Sequence, residues 1–277
     1  MEERLIVFTD LDGTFLDHHT YSFSALEAIL VRLNKLEVPL IFCSSKTRAE
    51  IEAVRQKCSN SHPFISENGG GIFIPEGYFP FPIQGGMRQG EYVVIKLGAR
   101  YAELIATLRQ TSVNTGTSIR GFNDMTIEEV ARECNLSDAE ARLAKQREFD
   151  EPFYLLTQDV EAERRICKAI EQSGYYCTRG TRFFHILGKS DKGKAVRLLL
   201  SFFRKVKSSL VSLSLGDSQN DLPMLKETDY AFLVQKGNGE YDREVLEEIP
   251  NITLAPAPGP QGWAYVMSHF LEKLAFS

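Results

Sequence analysis

A doubly wound α/β domain interrupted by an inserted α+β unit is the fold class this sequence predicts, and three observations predict it. Short apolar runs alternate with amphipathic stretches in the first ninety residues and again after Gly188. A segment dense in proline and glycine separates the first block from a differently organised middle, and apolar runs far apart in the chain end in acidic residues. Strand–helix alternation of this kind builds a mostly parallel sheet covered by helices on both faces.

Taken in order, Leu5–Thr9 is a continuous apolar run of strand length, as expected of a strand buried on both faces. Ser24-x-x-Glu27 has the form of a capping box and opens a helix to about Leu36, with Leu26, Ile29, Leu30 and Leu33 on one face. Val38–Cys43 reads as a second buried strand, and Thr47-x-x-Glu50 caps a helix that fades near Ser59. Pro63–Ser66 is a third short strand and Gly71–Pro75 a hairpin arm, after which Pro75–Gly90 reads as a linker. A second module then begins with the strand Tyr92–Leu97 and a helix carrying Tyr101, Leu104, Ile105 and Leu108 on one face. Thr126-x-x-Glu129 and Ser137-x-x-Glu140 start two more helices, and the charged run Glu140–Glu151 reads as the solvated face of the second. Phe153–Thr157, the helix Asp159–Ser173, Tyr175–Thr178 and Arg182–Leu187 complete the module. The first rhythm returns with a helix from Lys192 to Lys205 and strands Leu210–Leu215 and Tyr230–Val234. A Pro-rich turn, Ala255–Gly262, then leads to a closing helix whose stripe of Trp263, Val266, Met267, Phe270 and Leu271 is core packing. The domain assignment is therefore residues 1–85 and 189–277 for the core and 86–188 for the insert.

Composition narrows the function classes. With 43% hydrophobic and 25% charged residues in 277, the chain has the make-up of a soluble globular protein with ample length for a core. A net charge of −5 gives no basic footprint for nucleic acid. No stretch approaches membrane-span length, and Met1-Glu2-Glu3-Arg4 is no signal peptide, so a cytoplasmic protein is expected. The five cysteines (43, 58, 134, 167 and 177) are odd in number and scattered, which predicts reduced thiols rather than a disulfide framework. Oligomeric state stays open between monomer and dimer.

The chemistry concentrates at strand ends. Asp10-Leu11-Asp12-Gly13-Thr14 follows the first strand directly. Two carboxylates one residue apart repel and lose hydration unless a cation or hydrogen bonds answer them, and a hard divalent ion such as Mg²⁺ prefers such oxygen ligands. In open α/β sheets, ligands bind beyond the carboxyl ends of the strands. Here those ends carry Asp10/Asp12, Ser44/Ser45/Lys46, Glu67/Asn68/Gly69 and Asp217/Asn220/Asp221. Carboxylates from two distant segments with a lysine and a small hydroxyl suit metal-assisted phosphoryl transfer. An aspartate nucleophile splits hydrolysis into two steps, and a second carboxylate can shuttle the proton.

Asp10-x-Asp12-Gly13-Thr14, Ser44 after an apolar strand, Lys192-Gly193 and Gly216-Asp217-x-x-Asn220-Asp221 stand in the order of the four motifs of the haloacid dehalogenase superfamily, which this chain resembles. The resemblance implies a Rossmann-like core with Asp10 as nucleophile and Asp12 as general acid/base, Asp12 also lending its backbone carbonyl to the metal. It implies that Ser44 hydrogen-bonds the phosphoryl group and that Lys192 balances charge on Asp10 and the phosphate. Asp217 would ligate Mg²⁺ beside Asp10 and Asp12, with Asp221 supporting the metal shell. The insert lies between the second and third motifs, as in the Cof-type branch with its α/β cap. Within that branch Cys43-Ser44-Ser45-Lys46-Thr47, Glu67-Asn68-Gly69-Gly70-Gly71, Gly121-Phe122-x-Asp124-Met125-Thr126, Arg179-Gly180-x-Arg182-Phe183-x-His185 and Gly259-Pro260-x-Gly262-Trp263 resemble the mannosyl-3-phosphoglycerate phosphatases. Phe15 departs from the usual leucine and is expected only to repack the loop after the nucleophile.

A hexose joined to 3-phosphoglycerate, the substrate this resemblance implies, carries a carboxylate beside its phosphate. Cations beyond Lys192 are then needed, with Lys46, Lys189, Arg179 and Arg182 as candidates. Glu67, Asn68 and Asp124 are candidate partners for sugar or glycerate hydroxyls, Ser45 and Asn220 join the substrate set, and glycines 69–71 let the backbone approach a ligand closely. His185 reads as a packed or edge histidine. Glucosyl-3-phosphoglycerate or another sugar phosphate is the alternative substrate. A binding protein that has lost turnover is the alternative class, which the intact set of four motifs opposes.

Overall fold

The computed structural model of the chain describes residues 4–157, 159–179, 182–207 and 209–275. The first block runs β1 (Arg4–Thr9), α1 (Glu27–Lys35), β2 (Leu40–Cys43), α2 (Arg48–Lys57), β3 (Phe64–Ser66), β4 (Gly71–Pro75), β5 (Met87–Gln89) and β6 (Tyr92–Lys96). The middle block holds α3 (Tyr101–Thr115), β7 (Ile119–Gly121), α4 (Ile127–Cys134), α5 (Asp138–Ala144), β8 (Asp150–Leu155), α6 (Val160–Gln172), β9 (Tyr176–Arg179) and β10 (Phe184–Leu187). The last block is α7 (Lys192–Val206), β11 (Leu210–Gly216), α8 (Leu222–Leu225), β12 (Tyr230–Gln235), α9 (Arg243–Glu248), β13 (Thr253–Pro258) and α10 (Gly259–Ala275).

Nine of these strands form one sheet in the order β13-β12-β11-β1-β2-β3-β4-β6-β5. β13 through β3 are parallel, and β4, β6 and β5 extend the edge as antiparallel strands. The unbroken apolar run of β1 follows from burial on two sides. Leu5 and Val7 pack with Leu26 just before α1 and with Leu33, Ile51, Trp263 and Met267 from α1, α2 and α10, whereas Ile6 and Phe8 pack with Val196, Leu199 and Phe203 of α7. The insert is a separate antiparallel sheet, β7-β8-β10-β9, backed on one face by α3 and α6 through Leu104, Leu108, Phe153, Ile166, Ile170 and Ile186. The sequence-predicted architecture is thus the observed one.

Several local expectations are corrected. The large sheet does not stop at residue 85, because β5 and β6 pair with β4 and with each other, so the chain leaves it only after Lys96. Ser24 does not cap α1: a 3₁₀ turn, Ser24–Leu26, precedes that helix, and Ser24 Oγ bonds Ser22 Oγ instead at 3.1 Å. The boxes at Thr47/Glu50, Thr126/Glu129 and Ser137/Glu140 form as read. Residues 255–258, read as the start of a turn, belong to edge strand β13, where proline is tolerated because only one side pairs. The charged run Glu140–Glu151 is no solvated face beyond α5, since Asp150 and Glu151 are buried. Cys167 and Cys177 are joined by a disulfide, contrary to the expectation of reduced thiols, because α6 packs on β9 and brings their Cα atoms to 5.2 Å. No described helix is long and apolar enough to cross a membrane.

Candidate active site

Parallel pairing of β2, β1 and β11 aligns their carboxyl ends, so Asp10, Ser44 and Asp217 emerge at one edge of the sheet. Asp10 still belongs to the ladder through its N–H, which donates to Leu215 O at 3.0 Å. The chain then turns back on itself, with Gly13 N–H donating to Leu16 O and Leu16 N–H to Leu11 O. Gly13 sits at φ +75°, and a Cβ there would lie 2.7 Å from Asp217 Oδ2, so both backbone and space demand glycine. Phe15 fills the floor of this loop against Phe23, Phe42 and Trp263. Trp263 Nε1 donates to Thr9 Oγ1, which donates in turn to Asp10 O, so the closing helix buttresses the backbone that presents Asp10.

Lys192 enters from the first turn of α7, where Asp191 caps the helix through Lys194 N–H. Gly69, at φ +90°, permits this helix start to approach: a Cβ there would stand 2.1 Å from Asp191 O. The ammonium of Lys192 is fully buried and bridges Asp10 Oδ1 at 2.6 Å and Asp221 Oδ1 at 2.5 Å. Asp221 uses its other oxygen to accept the N–H groups of Asp217 and Ser218, which shapes the turn presenting Asp217. Burial pushes the Asp10 carboxyl well up; Lys192 opposes that shift, while Asp221, Asp217 and Asp12 add to it. Burial and the Asp221 charge likewise raise Asp217 to about 7. Lys192 is held charged by the two carboxylates despite its burial.

Asp12 Oδ2 lies 3.1 Å from Lys46 Nζ, and its buried Oδ1 has no hydrogen-bond partner among the described residues. Four aspartates (10, 12, 217 and 221) therefore face two lysines (192 and 46), an excess of two negative charges. Ligand oxygens of Asp10, Asp217 and Asp221 lie within 4.8 Å of one another. Hard oxygen donors with this excess of charge and a bare buried oxygen fit a divalent cation. Ser44, buried at the end of β2, accepts Lys46 N–H on its Oγ at 3.2 Å, and Asn68 and Asn220 meet across the mouth at 3.2 Å.

The sequence pattern of haloacid dehalogenase-like hydrolases matches residues 7–79 and 122–251. This chain belongs to that family. It is 45% identical over 268 residues to a glucosyl-3-phosphoglycerate/mannosyl-3-phosphoglycerate phosphatase of Methanococcoides burtonii, covering 97% of each chain. It is 36% identical to a mannosyl-3-phosphoglycerate phosphatase of Pyrococcus furiosus, over 89% of this chain and 96% of that one. A haloacid dehalogenase-like hydrolase from Bacteroides thetaiotaomicron has a similar fold, with a TM-score of 0.65 at 17% identity, covering 97% of this chain and 99% of that one.

In this haloacid dehalogenase-like hydrolase the remaining candidates are distributed unevenly. Lys46 lies at the site, between Asp12, Glu50 at 3.4 Å and the Tyr21 ring. Arg182 is instead mostly exposed and ion-pairs with Glu133 of the insert at 3.4 Å. Arg179 is also exposed, paired with Glu163 of α6 and laid on the Phe184 ring. Gly180 lies outside the described residues. Asp124 is held by Arg109 at 2.7 Å on the insert, and the exposed Lys189 accepts Lys194 Nζ on its carbonyl. Ser45 offers its carbonyl to Arg147, and Glu67 spends its carboxylate on the N–H groups of Glu148 and Phe149. Arg147, Asp150 and Glu151 escaped the sequence reading; the one signal was Phe149, an apolar residue among the charges with a strand just beyond.

Glu151 gives a first testable expectation. It is 1% exposed and accepts Tyr101 OH at 2.6 Å and Asn123 N–H at 2.9 Å, and burial lifts its carboxyl from 4.5 to about 7. A carboxyl whose folded pKa exceeds its unfolded one holds its proton more tightly in the folded state. Its stabilising share is therefore whole below about pH 4.5 and is lost as pH rises towards 7. Glu151→Gln, neutral throughout, should shrink the loss of unfolding free energy between pH 5 and pH 8 by on the order of 2 kcal/mol. Denaturant titrations at the two pH values check this, and identical pH slopes in variant and parent would refute it.

Proposed function

We propose that this protein is a cytoplasmic, Mg²⁺-dependent phosphatase that cleaves mannosyl-3-phosphoglycerate to mannosylglycerate and inorganic phosphate. The observation that carries the reading is the buried Lys192 bridging Asp10 and Asp221, with Asp217 beside them. Asp10 Oδ attacks phosphorus while the ester bond to glycerate breaks, and Asp12 gives its proton to the departing oxygen. Asp12 then takes a proton from the water that attacks the aspartyl phosphate, which frees phosphate and restores Asp10. Lys192 holds the orientation of Asp10 and offsets charge, and Ser44 contacts the phosphoryl oxygens. Asp10, Asp217 and the Asp12 backbone carbonyl would hold Mg²⁺, supported by Asp221; the ion supplies neutralisation of charge on the phosphoryl oxygens.

The names of the relatives support the substrate, and the placement of Lys46 beside Asp12 supports recognition of its carboxylate. Since the relative from Methanococcoides burtonii is named for both sugars, glucosyl-3-phosphoglycerate is the second reading. A phosphate-release panel of both compounds, sucrose phosphate and simple hexose phosphates, each with Mg²⁺ and after chelation, tests all of this. We expect the two sugar phosphoglycerates to lead and chelation to silence release. A flat profile would reduce the activity to a general sugar phosphatase, and release that survives metal removal would overturn the mechanism.

A further inference from the structure

The loop carrying Ser44 exposes three successive carbonyls, and each is held. Ser44 O accepts Asn68 N–H at 3.0 Å and Lys46 O accepts Glu67 N–H at 3.0 Å. Both donors come from the turn after β3, inside the core. The middle carbonyl, Ser45 O, accepts Arg147 Nη1 at 3.3 Å, and Arg147 belongs to the insert. The carbonyls of this loop are thus anchored twice by its own domain and once by the other, and Thr47 Oγ1 just after them donates to Leu143 O of the insert at 3.0 Å.

Arg147 is itself held on several sides, in part by charge alone, since its buried Nη2 makes no hydrogen bond among the described residues. Its side chain is 5% exposed, Nε donates to Asp150 O at 3.0 Å, and Nη2 lies 2.8 Å from Asp150 Oδ2. Glu67, with no exposure, lies 3.5 Å from the same guanidinium while its carboxylate accepts the N–H groups of Glu148 (2.9 Å) and Phe149 (2.8 Å). Glu67 therefore grips Lys46 with its backbone and the insert with its side chain. Phe149 locks the joint by entering the main core, where a Cβ on Gly70 or Gly71 would fall 2.3 and 2.6 Å from its side chain. Asp150 continues the network to His185 Nδ1 at 3.0 Å.

Burying a guanidinium and two carboxylates is costly, and apolar side chains would hold two domains together at least as well. We propose that Arg147 is a positioning residue through which docking of the insert sets the Ser44–Lys46 loop for phosphoryl binding. The inference rests on Ser44 as the phosphoryl contact but not on which sugar the substrate carries. Docked, the insert supplies the third anchor. Without it, the loop that carries Ser44 and Lys46 keeps only its two backbone anchors to the core.

The test uses the whole chain with Mg²⁺, read by kinetics and by the thermal protection that orthovanadate gives as a phosphoryl mimic. Arg147→Met should lower kcat by about 10- to 100-fold, the usual effect of a displacement near 1 Å. The loss should be alike for the sugar phosphoglycerate and for p-nitrophenyl phosphate, and vanadate protection should weaken in parallel. Arg147→Lys, which keeps charge but not the fork, should recover only part of it. A lower Tm with kcat and vanadate protection unchanged would overturn the proposal in favour of a purely structural role. A rise in KM confined to the sugar substrate would overturn it in favour of direct recognition. Should Arg147→Met not fold, Glu67→Gln keeps the backbone donor to Lys46 and loosens the guanidinium; unchanged vanadate protection in that variant would equally overturn the proposal. A wrong substrate assignment leaves the vanadate readout intact.

Discussion

Asp10→Asn is expected to reduce phosphate release from any phosphomonoester by on the order of 10⁴-fold or more, because it removes the oxygen proposed to attack phosphorus. The fold should survive. The amide oxygen still accepts from Lys192, which lies 2.6 Å from Asp10 Oδ1, and the surrounding β-ladder bond to Leu215 is untouched. Stability should even rise in metal-free buffer. Burial, opposed by Lys192 but aided by Asp221, Asp217 and Asp12, raises the Asp10 carboxyl well above its ordinary range, so the fold disfavours its charged form. A carboxyl with a raised folded pKa loses its stabilising share as pH climbs, and the neutral amide escapes that loss. The same change removes a ligand, so the gain in Tm on adding Mg²⁺ should shrink. Phosphate release, circular dichroism and melting with and without the ion make the check. Turnover within tenfold of the parent would sink the nucleophile assignment, and an undiminished Mg²⁺ shift would remove Asp10 from the metal set.

What made this site legible was the cost of its residues. Carboxylates at Asp10, Asp12, Asp217 and Asp221, each following or flanking a buried strand, cannot be explained by solubility, and the parallel pairing of β1 with β11 brings them together. The core strands were legible for the same kind of reason. A strand apolar at Leu5, Ile6, Val7 and Phe8 must be covered on both faces, and α7 on one side and α1 with α10 on the other do so.

The misread parts are those where one composition serves two structures. Proline and glycine between 75 and 90 suit a linker, yet here they turn the chain between antiparallel strands that widen the core sheet. Pro256 and Pro258 suit a turn and equally suit an edge strand. Charged residues of the insert were harder still, since an arginine's partner is a tertiary choice. Arg179 turns to Glu163 on the helix behind the sheet, Arg182 to Glu133, and Arg147 crosses to Ser45 of the other domain. Glycines 69–71 were read as leaving room for a ligand. They make room for the chain itself, Gly69 for the start of α7 and the other two for Phe149. Nor does a spacing of ten residues between Cys167 and Cys177 announce a disulfide, which depends on α6 lying along β9.

Removing the buried lysine should be the most damaging single change to stability. Lys192→Met leaves the carboxylates of Asp10 and Asp221 facing each other in the interior, each having lost its cation. Breaking a buried pair on one side costs about 3–5 kcal/mol, which for a chain of this size is a fall in Tm on the order of 10 °C. Activity should vanish at temperatures where the variant is folded, since nothing then orients Asp10 or offsets the phosphoryl charge. Adding Asp221→Asn removes one of the two stranded charges and should return a large part of the lost Tm. The amide oxygen introduced there would still accept the N–H groups of Asp217 and Ser218, as Asp221 Oδ2 does now. Turnover should not return with it, because the proposed mechanism also places the missing ammonium beside the phosphoryl group. A double variant no more stable than Lys192→Met alone would show that Asp221 is not the charge the lysine balances. Recovery of activity along with stability would show that Lys192 serves the fold and not the reaction.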